Sequence, residues 1–182
     1  MNIIIKPYGS DSCYCRPDTT WERENKDFYV PDNVRTLHWA PIVFARVSKA
    51  GKCINPKFAS RYYDAFNFGL LIYTDEENIA FSSCADHSSL LPLPLYNPVV
   101  AEGEDNLYKV MKNGEEIFCT RPDKSLIEEA ICKASQRTSV RIGDFVAAEL
   151  DNLKPLAEQP EGEIQVKASF CENGLYDLKL IF

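Results

Sequence analysis

The sequence predicts a mainly β protein with short helices, of the α+β class, and three patterns support this. Asn113-Gly114 separates two short apolar runs, and this dipeptide favours the positive φ angles of a two-residue hairpin turn. Apolar and polar residues alternate over residues 164–170, which is typical of a strand with one buried face. Residues 39–47 are apolar with β-branched members and indicate a strand, and the continuous apolar run at 67–73 indicates a buried strand. A chain of 182 residues is long enough for one domain with a sizeable core.

The first half of the chain predicts three strands joined by long connections. Residues 1–5 form the first strand, which Lys6-Pro7 ends. Residues 8–35 are polar and rich in Asp, Asn and Pro, and they predict a long irregular segment, which either has a functional or interface role or is a plain surface excursion. Residues 55–64 suit a short helix between the two apolar strands. Residues 90–95 contain two prolines, Pro92 and Pro94, at a spacing of two, which favours an extended edge or connector over a central strand.

The second half predicts a hairpin, a helix and three further strands. Ser125-Leu-Ile-Glu128 has the pattern of a capping box, so we expect it to open a helix that runs to about Arg137. Residues 142–148 form a turn that leads into an apolar strand. Asn173-Gly174 is expected to be the turn between the last two strands. The apolar end of the final strand must be covered by a sheet or an interface.

Composition excludes several classes of partner and location. The net charge of −7 disfavours a nucleic-acid or anionic-membrane partner, because phosphate groups demand basic surfaces. No run approaches the roughly 18 apolar residues of a membrane span. An odd count of seven cysteines, without the pattern of a signal peptide, favours reduced thiols in the cytoplasm. Cys13-Tyr-Cys15 lacks the spacing of a zinc site, and three other cysteines are expected in the core: Cys119, Cys132 and Cys171.

The order of these elements resembles the fumarylacetoacetate hydrolase superfamily. Ile3-Ile-Ile-Lys-Pro7 is similar to the start of the family's domain, and Phe28-Tyr-Val-Pro31 to the segment before its metal-binding strand. Residues 42–49 resemble a strand of the family that ends in Gly-Lys. The C-terminal core of the family is matched in order and spacing by residues 112–115, the helix at Ser125, and residues 140–144 and 162–166. The resemblance covers nearly the whole chain and implies one domain over 1–182, a mixed β-roll or barrel of the family's C-terminal-domain type, and a homodimer.

The resemblance also implies where a metal would lie. Members of the family hold Mg²⁺ or Mn²⁺ with carboxylates, two of them from a Glu-x-Glu strand, and the ion polarises a diketo or keto-acid substrate. When Lys49 is aligned with the family's lysine, Ala40 and Ile42 stand at the two glutamate positions, and neither can bind a cation. The spacing from Gly69 places Asp75 at the position of the family's aspartate ligand. A plain hairpin turn is the alternative interpretation of Asp75.

Other positions depart from the family's pattern as well. Leu150, within Glu149-Leu150-Asp151, stands where the family has a substrate-binding threonine. The family's substrate-binding lysine has no counterpart between Thr74 and Val100, and its upstream histidine segment would precede residue 1. His38 and His87 are each near these altered regions, and each is interpreted either as a residue that perturbs a site or as a loop histidine.

Three hypotheses follow. The first, which the sequence favours, is a divergent protein without the family's catalysis and without a cofactor, which binds a small organic acid or acts as a companion subunit. The second is an active hydrolase or lyase with Mg²⁺ or Mn²⁺ on rebuilt ligands. Those ligands would be Asp75, Glu76, Glu149 and Asp151. The third is a protein-interaction module that uses residues 8–35 and the Leu-Pro connector, with four aromatic anchors: Trp21, Phe28, Tyr29 and Trp39.

Overall fold

The computed structural model describes residues 1–103 and 105–182. In this part of the chain the strands are β1 (Ile3–Lys6), β2 (Tyr14–Arg16), β3 (Trp21–Glu22), β4 (Phe28–Tyr29), β5 (Thr36–Val47), β6 (Tyr63–Tyr73), β7 (Ser89–Leu90), β8 (Tyr108–Lys112), β9 (Glu115–Thr120), β10 (Phe145–Glu149), β11 (Lys154–Glu158), β12 (Glu163–Phe170) and β13 (Asn173–Ile181). The α-helices are α1 (Ile79–Ser82) and α2 (Lys124–Arg137), and 3₁₀ helices cover Asp18–Thr20, Pro56–Arg61, Pro98–Glu102 and Gln159–Glu161.

The strands form two sheets. The larger sheet has the order β2-β1-β10-β5-β6-β7-β3, and β11 pairs with the first part of β5. The smaller sheet has the order β4-β13-β12-β8-β9. The long strands β5 and β6 pair antiparallel over most of their length, with Ile42 opposite Gly69 and His38 opposite Tyr73. This mixed two-sheet architecture with short helices is the fold class that the sequence predicted.

The larger sheet is buried on both faces, because alternate residues of each strand point to opposite sides. One face packs against the smaller sheet and α2, and Val43 and Phe68 join Val166 and Ile131 in this main core. The opposite face has its own apolar cluster, which we call the second core. Its members are Ile3, Ile5, Ala40, Ile42, Phe44, Leu71, Tyr73, Leu91, Phe145 and Ala147. The continuous apolar runs of β5 and β6 therefore reflect two cores on one sheet.

The predicted hairpin and helix are confirmed, with one correction. Asn113 and Gly114 have φ angles of 49° and 85° and connect β8 to β9. Helix α2 ends at Arg137 as expected, but its N-cap is Asp123 and not Ser125. The carboxylate of Asp123 accepts hydrogen bonds from both the amide and the hydroxyl of Ser125, so Ser125 is already inside the first turn. Asp is as effective an N-cap as Ser, and the chain uses the earlier one.

The predicted turn at Asn173-Gly174 lies two residues too far along the chain. Phe170 pairs directly with Asn173, and the turn residues are Cys171 and Glu172, whose φ angles are 51° and 63°. A register shift after Ala168 allows Gly174 to lie within β13. The expected inward faces are nevertheless correct, because Ile164, Val166, Phe170, Leu178 and Leu180 are all buried. The final strand lies between β12 and β4, which covers the apolar C-terminal residues.

Residues 8–35 are more ordered than the sequence suggested. They contribute β2 and β3 to the larger sheet and β4 to the smaller one. The region expected to be a short helix at 55–64 is a 3₁₀ helix, Pro56–Arg61, followed directly by β6. Helix α1 and strand β11 were not predicted from the sequence. Of the three cysteines expected in the core, Cys132 is buried, Cys171 is half-buried and Cys119 is exposed on the edge strand β9. Within the described residues, no helix is both long enough and apolar enough to span a bilayer.

Candidate functional site

The second core contains the positions at which the resemblance places metal-binding glutamates. Ala40 and Ile42 lie on the same face of β5, and each side chain has no exposed surface. Ile42 is surrounded by side chains of the same cluster, which includes Ile3, Ile5 and Phe145. A divalent cation requires several oxygen ligands and retains water, so an aliphatic cluster is the wrong environment for one. This face of the sheet is packed as a hydrophobic core.

The N-terminal segment closes the second core from outside. Tyr14 of β2 and Trp21 of β3 pack against the cluster, and the Trp21 ring contacts Phe145 edge-on at 4.9 Å between centroids. The indole N–H of Trp21 donates to the carbonyl of Leu91 at 3.0 Å. Trp21 is half-buried, and an aromatic ring with its polar atom satisfied contributes a large apolar area to such a contact. Residues 8–35, although mostly polar, therefore provide aromatic side chains that cover this face of the larger sheet.

A single carboxylate interrupts the second core. Glu149 is 7% exposed and ends β10 on the same face as Phe145 and Ala147, opposite Ile42 in the pairing. One of its oxygens accepts the hydroxyl proton of Tyr73, and the other accepts the amide of Tyr8 at 3.0 Å. The hydroxyl of Tyr14 lies 2.5 Å from that of Tyr73 and extends the chain of hydrogen bonds.

Burial dominates the ionisation of this chain of groups. It raises the pKa of the Glu149 carboxyl, although the hydrogen bonds from Tyr73 and from the Tyr8 amide act in the opposite direction. Burial also raises the pKa of Tyr73 well above its usual range, and raises that of Tyr14. The charged form of each group is disfavoured because the protein replaces water around it. The arrangement can hold and pass a proton, but it has no open position for an ion.

Arg16 is a buried cation beside the same tyrosine. Its guanidinium lies 4.4 Å from the centre of the Tyr73 ring and donates to the carbonyl of Ile72 at 2.6 Å and to the hydroxyl of Ser89 at 2.8 Å. Within the described residues its Nε has no hydrogen-bond partner. These contacts attach β2 to β6 and β7, so Arg16 acts as a clamp for the segment that covers the second core.

The other predicted ligands lie in separate places with partners of their own. Asp75 is exposed, and one of its oxygens accepts the amides of Arg35 and Thr36 at 3.0 and 3.2 Å. The Glu76 carboxylate accepts the hydroxyl of Thr74. Asp151 accepts from Lys154 at 2.5 Å, and this hydrogen bond and charge lower its pKa. Leu150 is half-buried and packs against the main core.

The two histidines occupy different surroundings. His38 is half-buried on β5, two residues before Ala40, and lines a cavity of about 210 Å³ with Tyr73 and Asp75. His87 is exposed and its Nδ1 lies 2.8 Å from Glu22, whose side chain is only 5% exposed. This contact connects the two loops at the edge of β3 and β7 and lies apart from Glu149.

The donor set therefore does not fit the divalent metal that the resemblance implies. Across residues 1–103 and 105–182, no three His, Cys, Asp or Glu side chains gather in a group that could hold an ion. Glu149 is the carboxylate on the relevant face, and both of its oxygens already accept hydrogen bonds. A protein site for Mg²⁺ or Mn²⁺ normally has two or three carboxylate ligands. No reaction step through a metal can be built from these residues.

Sequence reasoning did not find Arg16, Tyr14 or Tyr73. Arg16 and its acceptor Ile72 are 56 residues apart, so their contact depends on how β2, β6 and β7 meet. Tyr73 was visible only as the end of an apolar run. The alternation of β2 was the one available signal, because Tyr14 and Arg16 share a face of that strand.

Comparisons with solved structures identify the fold. A fumarylpyruvate hydrolase from Pseudomonas aeruginosa, solved with Mn²⁺ and pyruvate, has a TM-score of 0.79 at 13% identity, over 100% of this chain and 90% of that one. A protein from Yersinia pestis CO92 described as a putative fumarylacetoacetate hydrolase family protein has a TM-score of 0.79 at 12% identity, over 99% and 92%. A 5-carboxymethyl-2-hydroxymuconate delta-isomerase from Mycobacterium smegmatis also has a TM-score of 0.79 at 12% identity, over 99% and 78%. The sequence itself matches no family model and no curated protein.

These similarities define the class to which the molecule belongs by structure. The chain has the fumarylacetoacetate hydrolase fold, and the resemblance inferred from the order of its turns, caps and strands is confirmed at that level. At 12–13% identity, the likeness is one of architecture.

Proposed function

We propose that this protein is a divergent, non-catalytic member of the fumarylacetoacetate hydrolase superfamily that acts by binding rather than by metal-dependent cleavage of a carbon–carbon bond. One observation carries the proposal. The two positions expected to ligate the metal are Ala40 and Ile42, and both are fully buried in the second core. Apolar side chains therefore fill the face on which the resemblance would place the ion.

The covering segment supports the same conclusion. Tyr14 and Trp21 pack onto the second core, and Arg16 fixes the segment to β6 and β7. Replacing buried polar groups by packed apolar groups removes the desolvation cost of ions and favours stability over chemistry. The binding role we propose is that of a companion subunit in the cytoplasm, with a small organic acid as an alternative ligand.

The test compares this protein with the Pseudomonas aeruginosa fumarylpyruvate hydrolase under identical conditions. Free Mn²⁺ is measured by electron paramagnetic resonance during titration, and hydrolysis of fumarylpyruvate is followed in the presence of Mn²⁺ and of Mg²⁺. We expect the hydrolase to bind Mn²⁺ and turn over its substrate, and this protein to do neither.

The Asp75→Asn and Glu149→Gln variants address the rebuilt-ligand hypothesis. Both should behave as the unmodified protein does in the Mn²⁺ titration. Micromolar Mn²⁺ binding that either substitution abolishes would overturn the proposal and establish a rebuilt metal site.

A further inference from the structure

Most of the net charge of this protein lies on one face. We define the acidic face as residues 18–35 and 74–87. These segments contain nine acidic and three basic residues, whereas the remaining 150 residues contain eighteen acidic and seventeen basic ones. Six of the seven net negative charges are therefore located in 32 residues. A charge concentrated in this way selects binding partners by their sign.

The fold brings the two segments together and fixes them. The amide of His87 donates to the carbonyl of Thr19, and its imidazole contacts the Glu22 carboxylate at 2.8 Å. At the other end, the carboxylate of Asp75 accepts the amides of Arg35 and Thr36. The acidic face is thus one surface with a defined geometry rather than two independent loops.

Contacts within the acidic face engage two of its three basic side chains and leave many of its acidic side chains free. Lys26 pairs with Glu24 at 2.5 Å, and the Arg23 guanidinium stacks on Trp21 at 3.9 Å. Six exposed carboxylates of the acidic face form no ion pair with any side chain that the structure describes. Two of them, Asp27 and Asp75, accept backbone amides, and the other four are Asp18, Asp32, Glu77 and Asp86. These groups are available to a basic partner.

Exposed aromatic side chains stand beside cavities on the same face. Tyr29 is 73% exposed and borders a cavity of about 550 Å³ with His87. Phe81 is 68% exposed and borders a mostly apolar cavity of about 240 Å³. That second cavity is lined by Pro31, Asn33, Val34, Thr74, Glu76, Phe81, Cys84 and Ala85. Exposed aromatic residues next to apolar cavities are typical anchor points of protein interfaces.

We infer that the acidic face is a docking surface for a polypeptide segment that combines lysine or arginine with a large apolar side chain. The apolar side chain would enter the cavity beside Phe81, and the basic groups would pair with the free carboxylates around it. Charge complementarity selects this occupant. A second copy would bring the same excess of negative charge, and its remaining surface is nearly neutral. The inference does not depend on whether metal chemistry has been lost.

The experiment uses the full chain and three synthetic peptides. The first has lysine and arginine on both sides of a Trp-Leu pair. In the second, serine replaces the Trp-Leu pair, and in the third, glutamate replaces the basic residues. Binding is followed by fluorescence anisotropy and by amide chemical shifts of the ¹⁵N-labelled protein. We expect saturable binding of the first peptide alone, with shifts concentrated at residues 18–35 and 74–87.

Matched variants locate the contact. Phe81→Ala and Tyr29→Ala should each weaken binding about tenfold, as loss of an aromatic anchor commonly does. Glu77→Lys should weaken peptide binding more at low salt than at high salt, because salt screens the attraction between the carboxylates and the basic peptide. Ile142→Ala and Glu115→Lys change exposed residues outside the acidic face, and both should retain the original affinity.

Several results would overturn the inference. Equal binding of the serine peptide would show a general response to positive charge, and binding of the glutamate peptide would exclude charge selection. Shifts outside the acidic face would locate the contact elsewhere. Self-association that Phe81→Ala abolishes would identify a second copy as the occupant. Circular dichroism of each variant distinguishes lost binding from lost fold, and Mn²⁺ binding would affect only the proposed function.

Discussion

The surroundings of the Glu149 carboxyl are those of a packed core and not those of a hydrated metal site. Its carboxyl group ends β10 on the face that holds Ala40 and Ile42, yet its oxygens accept hydrogen bonds from the Tyr73 hydroxyl and the Tyr8 amide. Burial raises its pKa above the ordinary value of 4.5, because the ionised form loses water that these two donors replace only in part. The residue is therefore better suited to carry a proton than to bind a cation.

Glu149→Gln should change how stability depends on pH. Because the pKa of Glu149 is higher in the folded than in the unfolded protein, its proton stabilises the fold fully below about pH 4.5. This stabilisation is lost as the pH rises through the folded-state pKa. The loss is about 1.4 kcal/mol for each unit by which the folded-state pKa exceeds the unfolded-state pKa. Urea unfolding from pH 4.5 to 7.5 should show the unmodified protein losing stability relative to Glu149→Gln.

Tyr73→Phe provides the complementary variant. It removes a hydrogen bond that lowers the pKa of Glu149, so the loss of stability with rising pH should become larger. If the unmodified protein and Glu149→Gln gave parallel curves, the assignment of a raised pKa to Glu149 would be wrong.

At the scale of elements, Gly69 sets how closely β6 and β7 approach. A Cβ atom at this position would lie 2.2 Å from the backbone carbonyl oxygen of Leu90, and a backbone atom cannot rotate away. Gly69 faces Ile42 on the other side, in the register that forms the second core. The glycine that the sequence matched to a family motif therefore has a packing role in this chain.

Gly69→Ala should destabilise the protein by about 2 kcal/mol or more, because β7 and the Leu-Pro connector must shift to admit a methyl group. Gly174→Ala is the control, since no atom lies within 4 Å of its added Cβ and its φ is not positive. That change should stay within about 0.5 kcal/mol. Denaturant unfolding of both variants measures the difference, and equal free energies of unfolding would contradict the close approach.

Local signals predicted the elements whose causes are local. The Asn113-Gly114 hairpin, the end of α2 at Arg137 and the inward residues of β12 all depend on neighbours within a few positions, and the sequence predicted each. The turn at Cys171-Glu172 was misplaced because a register shift after Ala168 moved it. At the candidate site, the sequence placed Ala40 and Ile42 at the family's ligand positions, and both lie on one buried face of β5. The contacts of Arg16 and Tyr73 depend on strands that are distant in sequence and had no local signal.

At the scale of the whole molecule, the distribution of charge divides the surface into two parts. The acidic face carries six of the seven net negative charges, and the rest of the chain is close to neutral. Two copies that met through their acidic faces would repel each other, whereas contact through the remaining surface would not. The homodimer that the family resemblance implies is therefore expected to use the nearly neutral part of the surface and to leave the acidic face free for another partner.

Light scattering during size exclusion tests this arrangement. The mass should be twice the 20.7 kDa of one chain at low and at high salt, because the buried contact would contain little net charge. Tyr29→Ala and Phe81→Ala should leave the mass unchanged, since both residues lie outside the expected contact. A chain that stays monomeric at every concentration would contradict the dimer. A dimer that forms only at high salt would place the contact on the acidic face, because screening would then be needed to overcome repulsion between the two copies.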